Sequence, residues 1–203
     1  MIPTNPRSTL SAKQRILDTA HELFYRDGIR ATGIDRVIAD AGVTKVTFYR
    51  HFPSKNDLIK AYLEYRHQLW IEWFKVALER HRGLGGNAAA QLVAVFREWF
   101  ESEGYRGCAF LNAVVELGGS LPEVAEIARY HKERVTEVVA GLLPESSDRQ
   151  GRALAITVML DGAILRAQME KASKPALVAL DTMLRAVIPD VSSPPIVGAI
   201  SGA

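Results

Sequence analysis

The chemically richest stretch of the chain is GIDRVIADAGVTKVTFYRHF, residues 33–52. Its apolar residues Ile34, Val37 and Ile38 recur at helical spacing, Gly42 supplies a turn, and Val43 plugs the junction to a second helix that starts at Thr44. Ala39 is small where two helices would approach closely. In the second helix Phe48 and Phe52, four residues apart, face inward, so Thr44, Lys45, Val46, Thr47, Tyr49, Arg50 and His51 project outward. Hydroxyls, a phenol and cations on one exposed face are groups that reach base edges and phosphates in a DNA groove. The same spacing also describes an ordinary helical hairpin with a solvated polar face.

Other chemistries find little support. The five histidines, His21, His51, His67, His81 and His131, are scattered, and none pairs with another His or Cys at i+3 or i+4, so no metal site is expected. There is no HExxH, no GxSxG, no phosphate-binding P-loop and no nucleotide-type glycine fingerprint after a strand. GLGG at 83–86 joins helices. Neither an enzyme nor a cofactor is expected. One cysteine, Cys108, cannot form an internal disulfide, which favours a reducing compartment. No apolar run is long enough for a membrane span and the N-terminus lacks a signal-peptide core, so a cytoplasmic protein is expected.

The elements that hold these residues read as helices throughout. Ser11 with Gln14, Thr32 with Asp35, Ser54 with Asp57, Ser120 with Glu123 and Ser147 with Gln150 each have the form of a helix-capping box. Periodic apolar residues follow each one, and alternating β-type runs are absent. The expected fold is all-α with about nine helices. The longest, over 54–82, would run roughly 40 Å at about 1.5 Å per residue. Boundaries are expected at a mobile N-terminus (1–10), a helix-turn-helix unit (11–53), a helical body (54–188) and a mobile tail (189–203). At 203 residues, 48% apolar and 24% charged, the chain can bury a core of that kind. Residues 1–60 carry ten Lys/Arg against six Asp/Glu, leaving 15 against 17 for the rest, so only the head is basic. A basic head suits an anionic partner.

Residues 16–58 resemble the N-terminal DNA-binding domain of the TetR (tetracycline-repressor-like) family of bacterial transcriptional regulators. Ala20, Leu23, Phe24, Gly28, Thr32, Ile38, Ala39, Ala41, Gly42, Val43, Tyr49, Phe52, Lys55 and Leu58 carry the resemblance. The segment GCAFLNAVVELGG is similar to a ligand-domain helix of many members. The resemblance implies a homodimer whose second motif helix enters the major groove of double-stranded DNA, and a small-molecule effector that releases the DNA from the body. It implies that Thr44, Lys45, Val46 and Thr47 face base edges and nearby phosphates, and that Tyr49, His51 and Lys55 touch the phosphate backbone. Arg50 joins Lys45 as a cation able to read guanine or phosphate, and Thr32 is included in the DNA-binding set. Val46 departs from the small residue usual at its position and is placed to meet a thymine methyl.

For the effector, Trp70, Trp73, Phe74, Phe96, Trp99 and Phe100 offer flat apolar walls, although an aromatic stripe at helical spacing equally describes core. Cys108, Asn112 and Glu116 fall on one helical line, and His131 and Asp161 are further candidates for orienting a ligand, with a solvated face or satisfied interior contacts as the alternative. For dimerisation, Leu154, Val158, Gly162, Leu165 and Met169, followed by Leu177, Leu180 and Leu184, present more apolar surface than one protomer should cover. An activator of the same fold, or a helical small-molecule carrier or enzyme whose basic head is incidental, are the alternatives.

Overall fold

A computed structural model describes residues 10–83 and 87–188, and in them the chain forms nine α-helices and no strand. They are α1 (Ala12–Asp27), α2 (Ile34–Asp40), α3 (Lys45–His51), α4 (Lys55–Arg80), α5 (Ala88–Phe100), α6 (Ala109–Leu117), α7 (Pro122–Ala140), α8 (Arg149–Glu170) and α9 (Ser173–Val187). The expected mobile ends, 1–10 and 189–203, lie outside the described residues except for Leu10, whose carbonyl accepts Arg15 Nη1 at 3.1 Å. No described helix is long and apolar enough to cross a membrane.

The caps explain most of the helix starts. Ser11 Oγ accepts the Gln14 N–H, Ser54 Oγ the Asp57 N–H, and Thr44 Oγ1 the Thr47 N–H, each filling an orphan donor of a first turn. Three expected caps behave differently. Thr32 is fully buried and donates its hydroxyl to Gly28 O at 2.8 Å, so α2 starts behind Gly33 without a side-chain cap. Ser120 Oγ donates back to Leu117 O and α7 starts at Pro122, whose missing N–H costs nothing in a first turn. The residue before α8 is Asp148, not Ser147.

α1 packs against α2, α3 and α4, making it the shared wall between the short helices and the rest of the chain. Ile16, Ala20, Leu23 and Phe24 of α1, Phe48 and Phe52 of the α3 region, and Leu58, Ile59, Tyr62 and Leu63 of α4 are all buried. The start of α4 packs mainly on α1 rather than on α3. Further along, α4 packs on α5, α6 and α7, while α8 lies against α7 and α9, and α5 against α9.

Candidate nucleic-acid interface and interior cavity

The turn between α2 and α3 is tight because Gly42 takes φ +61°, a conformation that costs a side chain, and because the Gly42 and Val43 N–H groups bond back to Ala39 O and Ile38 O. Ala41 is the small residue packed inside this turn. Ala39 is exposed, so the expected close approach at that position is not found. α3 is anchored by Phe48, fully buried, with the ring of Phe52 at 6.2 Å and that of Tyr49 set edge-on at 5.3 Å.

With that face anchored, Thr44, Lys45, Val46, Tyr49 and Arg50 are exposed and Thr47 and His51 half-buried. Val46 is 78% exposed, an apolar side chain left in water at the start of the helix. Thr44 and Thr47 hydroxyls lie 2.9 Å apart, and Lys45 forms only a loose, exposed pair with Asp35 at 3.8 Å. Its charge is thus largely available. Two expected members of the set behave otherwise. Thr32 is withdrawn from any surface, because its hydroxyl closes the α1–α2 turn. Lys55 is half-buried and donates to Ile29 O at 2.8 Å, where burial lowers its pKa and the nearby Glu116 partly restores it.

The interior candidates divide among several spaces. Trp70, Phe96, Trp99, Cys108, His131 and Asp161 line one closed space between α4, α5, α7 and α8, of only about 10 Å³. That is scarcely room for one water. His131 is buried, stacked on Phe110 at 3.7 Å and bonded through Nδ1 to His67 Nδ1 at 3.0 Å. Burial, with the nearby charges of Lys132 and Arg66, pushes its pKa down to about 2, so the ring is neutral. Asp161 is paired with Lys132. Phe74 is core, stacked on Trp70 at 4.9 Å. Trp73 faces an outer cleft of about 330 Å³ beside α1. Asn112 and Glu116 line a different cleft, of about 460 Å³, and Phe100 lies on a fourth, beside α9. The expected polar line on α6 therefore does not converge on one site: Cys108 is buried just before the helix, Asn112 bonds Arg106 O, and Glu116 reaches the head.

The sequence pattern missed Arg66 and Tyr25. Arg66 is 3% exposed, with its guanidinium 4.1 Å over the Tyr25 ring and Nη1 3.1 Å from His21 Nε2. Tyr25 in turn donates to Gly107 O at 2.9 Å and accepts the Arg106 N–H at 3.1 Å, fastening α1 to the turn before α6. Gly107 takes φ +78°, and a Cβ there would lie 2.0 Å from Gln168 Oε1. A lone arginine in a helix otherwise read from its apolar stripe gives no sequence signal of burial.

The dimer candidates also divide. Leu154, Val158, Gly162, Leu165 and Met169 form an exposed stripe along α8. Leu177, Leu180 and Leu184 do not join it: all three are buried in the protomer's own core, where α9 packs on α5 and α8. The exposed large apolar residues of α9 are Val178 and Met183.

A family profile described as bacterial regulatory proteins, tetR family, matches residues 16–62, which run from α1 into α4. The structure is similar to SCO4454, a TetR-family transcriptional regulator from Streptomyces coelicolor, with 33% identity and a TM-score of 0.70 over 88% of this chain and 96% of that one. The chain belongs to the TetR family. TetR-family proteins are DNA-binding transcriptional regulators and not enzymes, and the all-α fold is theirs. An HTH-type transcriptional regulator of Lactococcus lactis is 25% identical over 108 residues, 53% of this chain, which spans 55% of that relative's length. The multidrug binding protein EbrR, solved in complex with malachite green, shares the fold at 23% identity, with a TM-score of 0.66 over 88% of this chain and 98% of its own.

Proposed function

We propose that this TetR-family regulator is a homodimeric repressor that binds a palindromic operator and releases it when a small apolar or amphipathic molecule enters the helical body. The observation that carries the reading is the exposed face of α3: Thr44, Lys45, Val46, Tyr49 and Arg50 stand clear of the protein while Phe48 fixes the helix from beneath. Such a face supplies donors for bases and phosphates, and Val46 an apolar tip for a thymine methyl. Residues 11–53 act as the reading head and 54–188 as the body, working in the cytoplasm where the DNA is.

Dimerisation is supported by the α8 stripe and by Val178 and Met183 of α9, apolar side chains left in water on neighbouring helices. A second copy on a two-fold axis covers them in a four-helix contact, with Gly162 allowing close approach. Effector binding is supported by the aromatic interior around Trp70 and Trp99 and by the complex of EbrR with malachite green in the same fold.

The test is binding of the purified protein to DNA from its own promoter, followed by fluorescence anisotropy across a range of salt. Each phosphate contact releases counterions, so log K should fall against log salt with a slope near −0.9 per contact. A flat response ends the repressor reading and favours an incidental basic head.

A further inference from the structure

Arg66 and Trp70 lie one turn apart on α4; the first is a buried arginine with no carboxylate paired to it among the described residues, and the second carries a buried donor without an acceptor. Arg66 is the buried arginine among the described residues, and it has no ion pair there: its neighbours are His21 and the face of Tyr25. Burial and the guanidinium lower the His21 pKa to about 3, while burial raises that of Tyr25, so neither neighbour supplies a negative charge. Asp161, across the closed space, is spent on Lys132. Trp70 is 5% exposed, and its indole N–H is buried without any acceptor. A buried indole N–H without an acceptor and a buried guanidinium without a counter-ion are both costly, and a ligand that brings oxygens to the two is selected strongly.

Arg66 and Trp70 line the same closed space, and Arg66 together with Trp99 also lines the outer cleft of about 330 Å³ beside α1. Those two side chains are thus the wall between an accessible cleft and the interior. Trp70, Trp73 and Trp99 meet around them, with ring centroids 5.4 to 6.2 Å apart. The cleft rim carries Glu22, Glu98 and Glu103 as well as Arg26 and Arg106, with Glu98 already paired to Arg80 and His81, and the cation at its inner end is Arg66.

Building on the reading of an effector-responsive body, we propose that the effector is a flat aromatic oxyanion of the aryl carboxylate class, its oxygens taken by the Arg66 guanidinium and the Trp70 indole N–H and its ring by the tryptophan trio. The closed space opens as Arg66 turns to the ligand. Because the present partners of Arg66 are both on α1, which packs on α3, drawing the guanidinium away loosens one of the contacts that hold the head to the body.

The experiment uses the full-length protein with benzoate and 2-naphthoate as probes and the matching amides as neutral isosteres, read by tryptophan fluorescence and thermal melting. At least one carboxylate should bind about tenfold more tightly than its amide, the difference expected of a charge-assisted pair. Arg66→Met should bring acid and amide within about twofold, Arg66→Lys should keep part of the preference, and Trp70→Phe should weaken both ligands, the carboxylate more than its amide. Equal binding of acid and amide, no saturable binding of either carboxylate at millimolar concentration, or an undiminished preference in Arg66→Met overturns the proposal. Should Arg66→Met fail to fold by circular dichroism, the acid-to-amide ratio in the unmodified protein and in Trp70→Phe decides. The same ligands added to the promoter complex separate this idea from the repressor reading. Arg66-dependent carboxylate binding without DNA release keeps the site and sinks release by effector, whereas equally potent release by the amides sinks the oxyanion and leaves release standing.

Discussion

The carboxylate of Glu116, at the end of α6, accepts the backbone N–H of Arg30 at 2.9 Å, 86 positions away in the chain. Arg30 lies in the α1–α2 turn, whose Ile29 carbonyl is also held by Lys55 at 2.8 Å. One acidic side chain of the body therefore fixes the turn from which the helix-turn-helix begins. Glu116→Ala should change promoter affinity severalfold while leaving the slope of log K against log salt unaltered, because no phosphate contact is removed. Glu116→Gln, which keeps a carbonyl acceptor, should lie between. Unchanged affinity in Glu116→Ala means that the body does not set the head through this bond.

A true DNA contact shows itself in the salt slope, and this separates two threonine and lysine positions that the sequence grouped together. Lys45→Ala should weaken promoter binding about tenfold and reduce the salt slope by about one. Thr32→Val removes the buried hydroxyl that bonds Gly28 O and should cost about 1 kcal/mol in urea denaturation, with the slope intact. A loss of slope in Thr32→Val restores Thr32 to the interface.

The features most legible in the sequence were those in which a local pattern has one physical solution. Ser11 and Ser54 cap helices as read, and Phe48 at helical spacing from Phe52 fixes which face of α3 is free. Thr32 shows the limit: its spacing to Asp35 fits a capping box, but a deeper acceptor, Gly28 O, takes the hydroxyl instead. α9 shows another. It carries apolar residues on two sides, and periodicity says that Leu177, Leu180 and Leu184 share a side, not whether that side meets the protomer's own core or a partner. Arg66 and Tyr25 were illegible because their meaning lies in contacts across the chain, with Tyr25 bonding residues more than 80 positions away.

The division of α8 from α9 is itself testable. Val158 is 63% exposed on the free stripe, so Val158→Asp should leave the helical content and melting of the protomer nearly unchanged while shifting the mass in light scattering from dimer to monomer. Leu180 is fully buried, and Leu180→Asp places an unpaired charge in the core and should abolish folding. A Val158→Asp protein that remains a dimer moves the proposed contact off this stripe.

Acid should destabilise the fold earlier than carboxylate titration alone would cause. Burial lowers the pKa of His21 to about 3 and that of His131 to about 2, with help from Arg66 for the first and Lys132 for the second, so both rings are neutral in the folded protein. In the unfolded chain each binds a proton below about pH 6.5. Between that value and the folded pKa the unfolded state holds more protons, and stability must rise with pH there. The contribution is intact above about pH 6.5 and is lost progressively as the pH falls. From pH 7.5 to pH 5 the loss is roughly 2 kcal/mol for each ring, or about 4 kcal/mol together. Urea unfolding at the two pH values measures it, with DNA and ligand absent. His131→Gln lowers the starting stability, since it removes the stack on Phe110, but should halve the pH-dependent part of the loss. An equal pH dependence in that variant would show that His131 is protonated, or free to become so, in the native state.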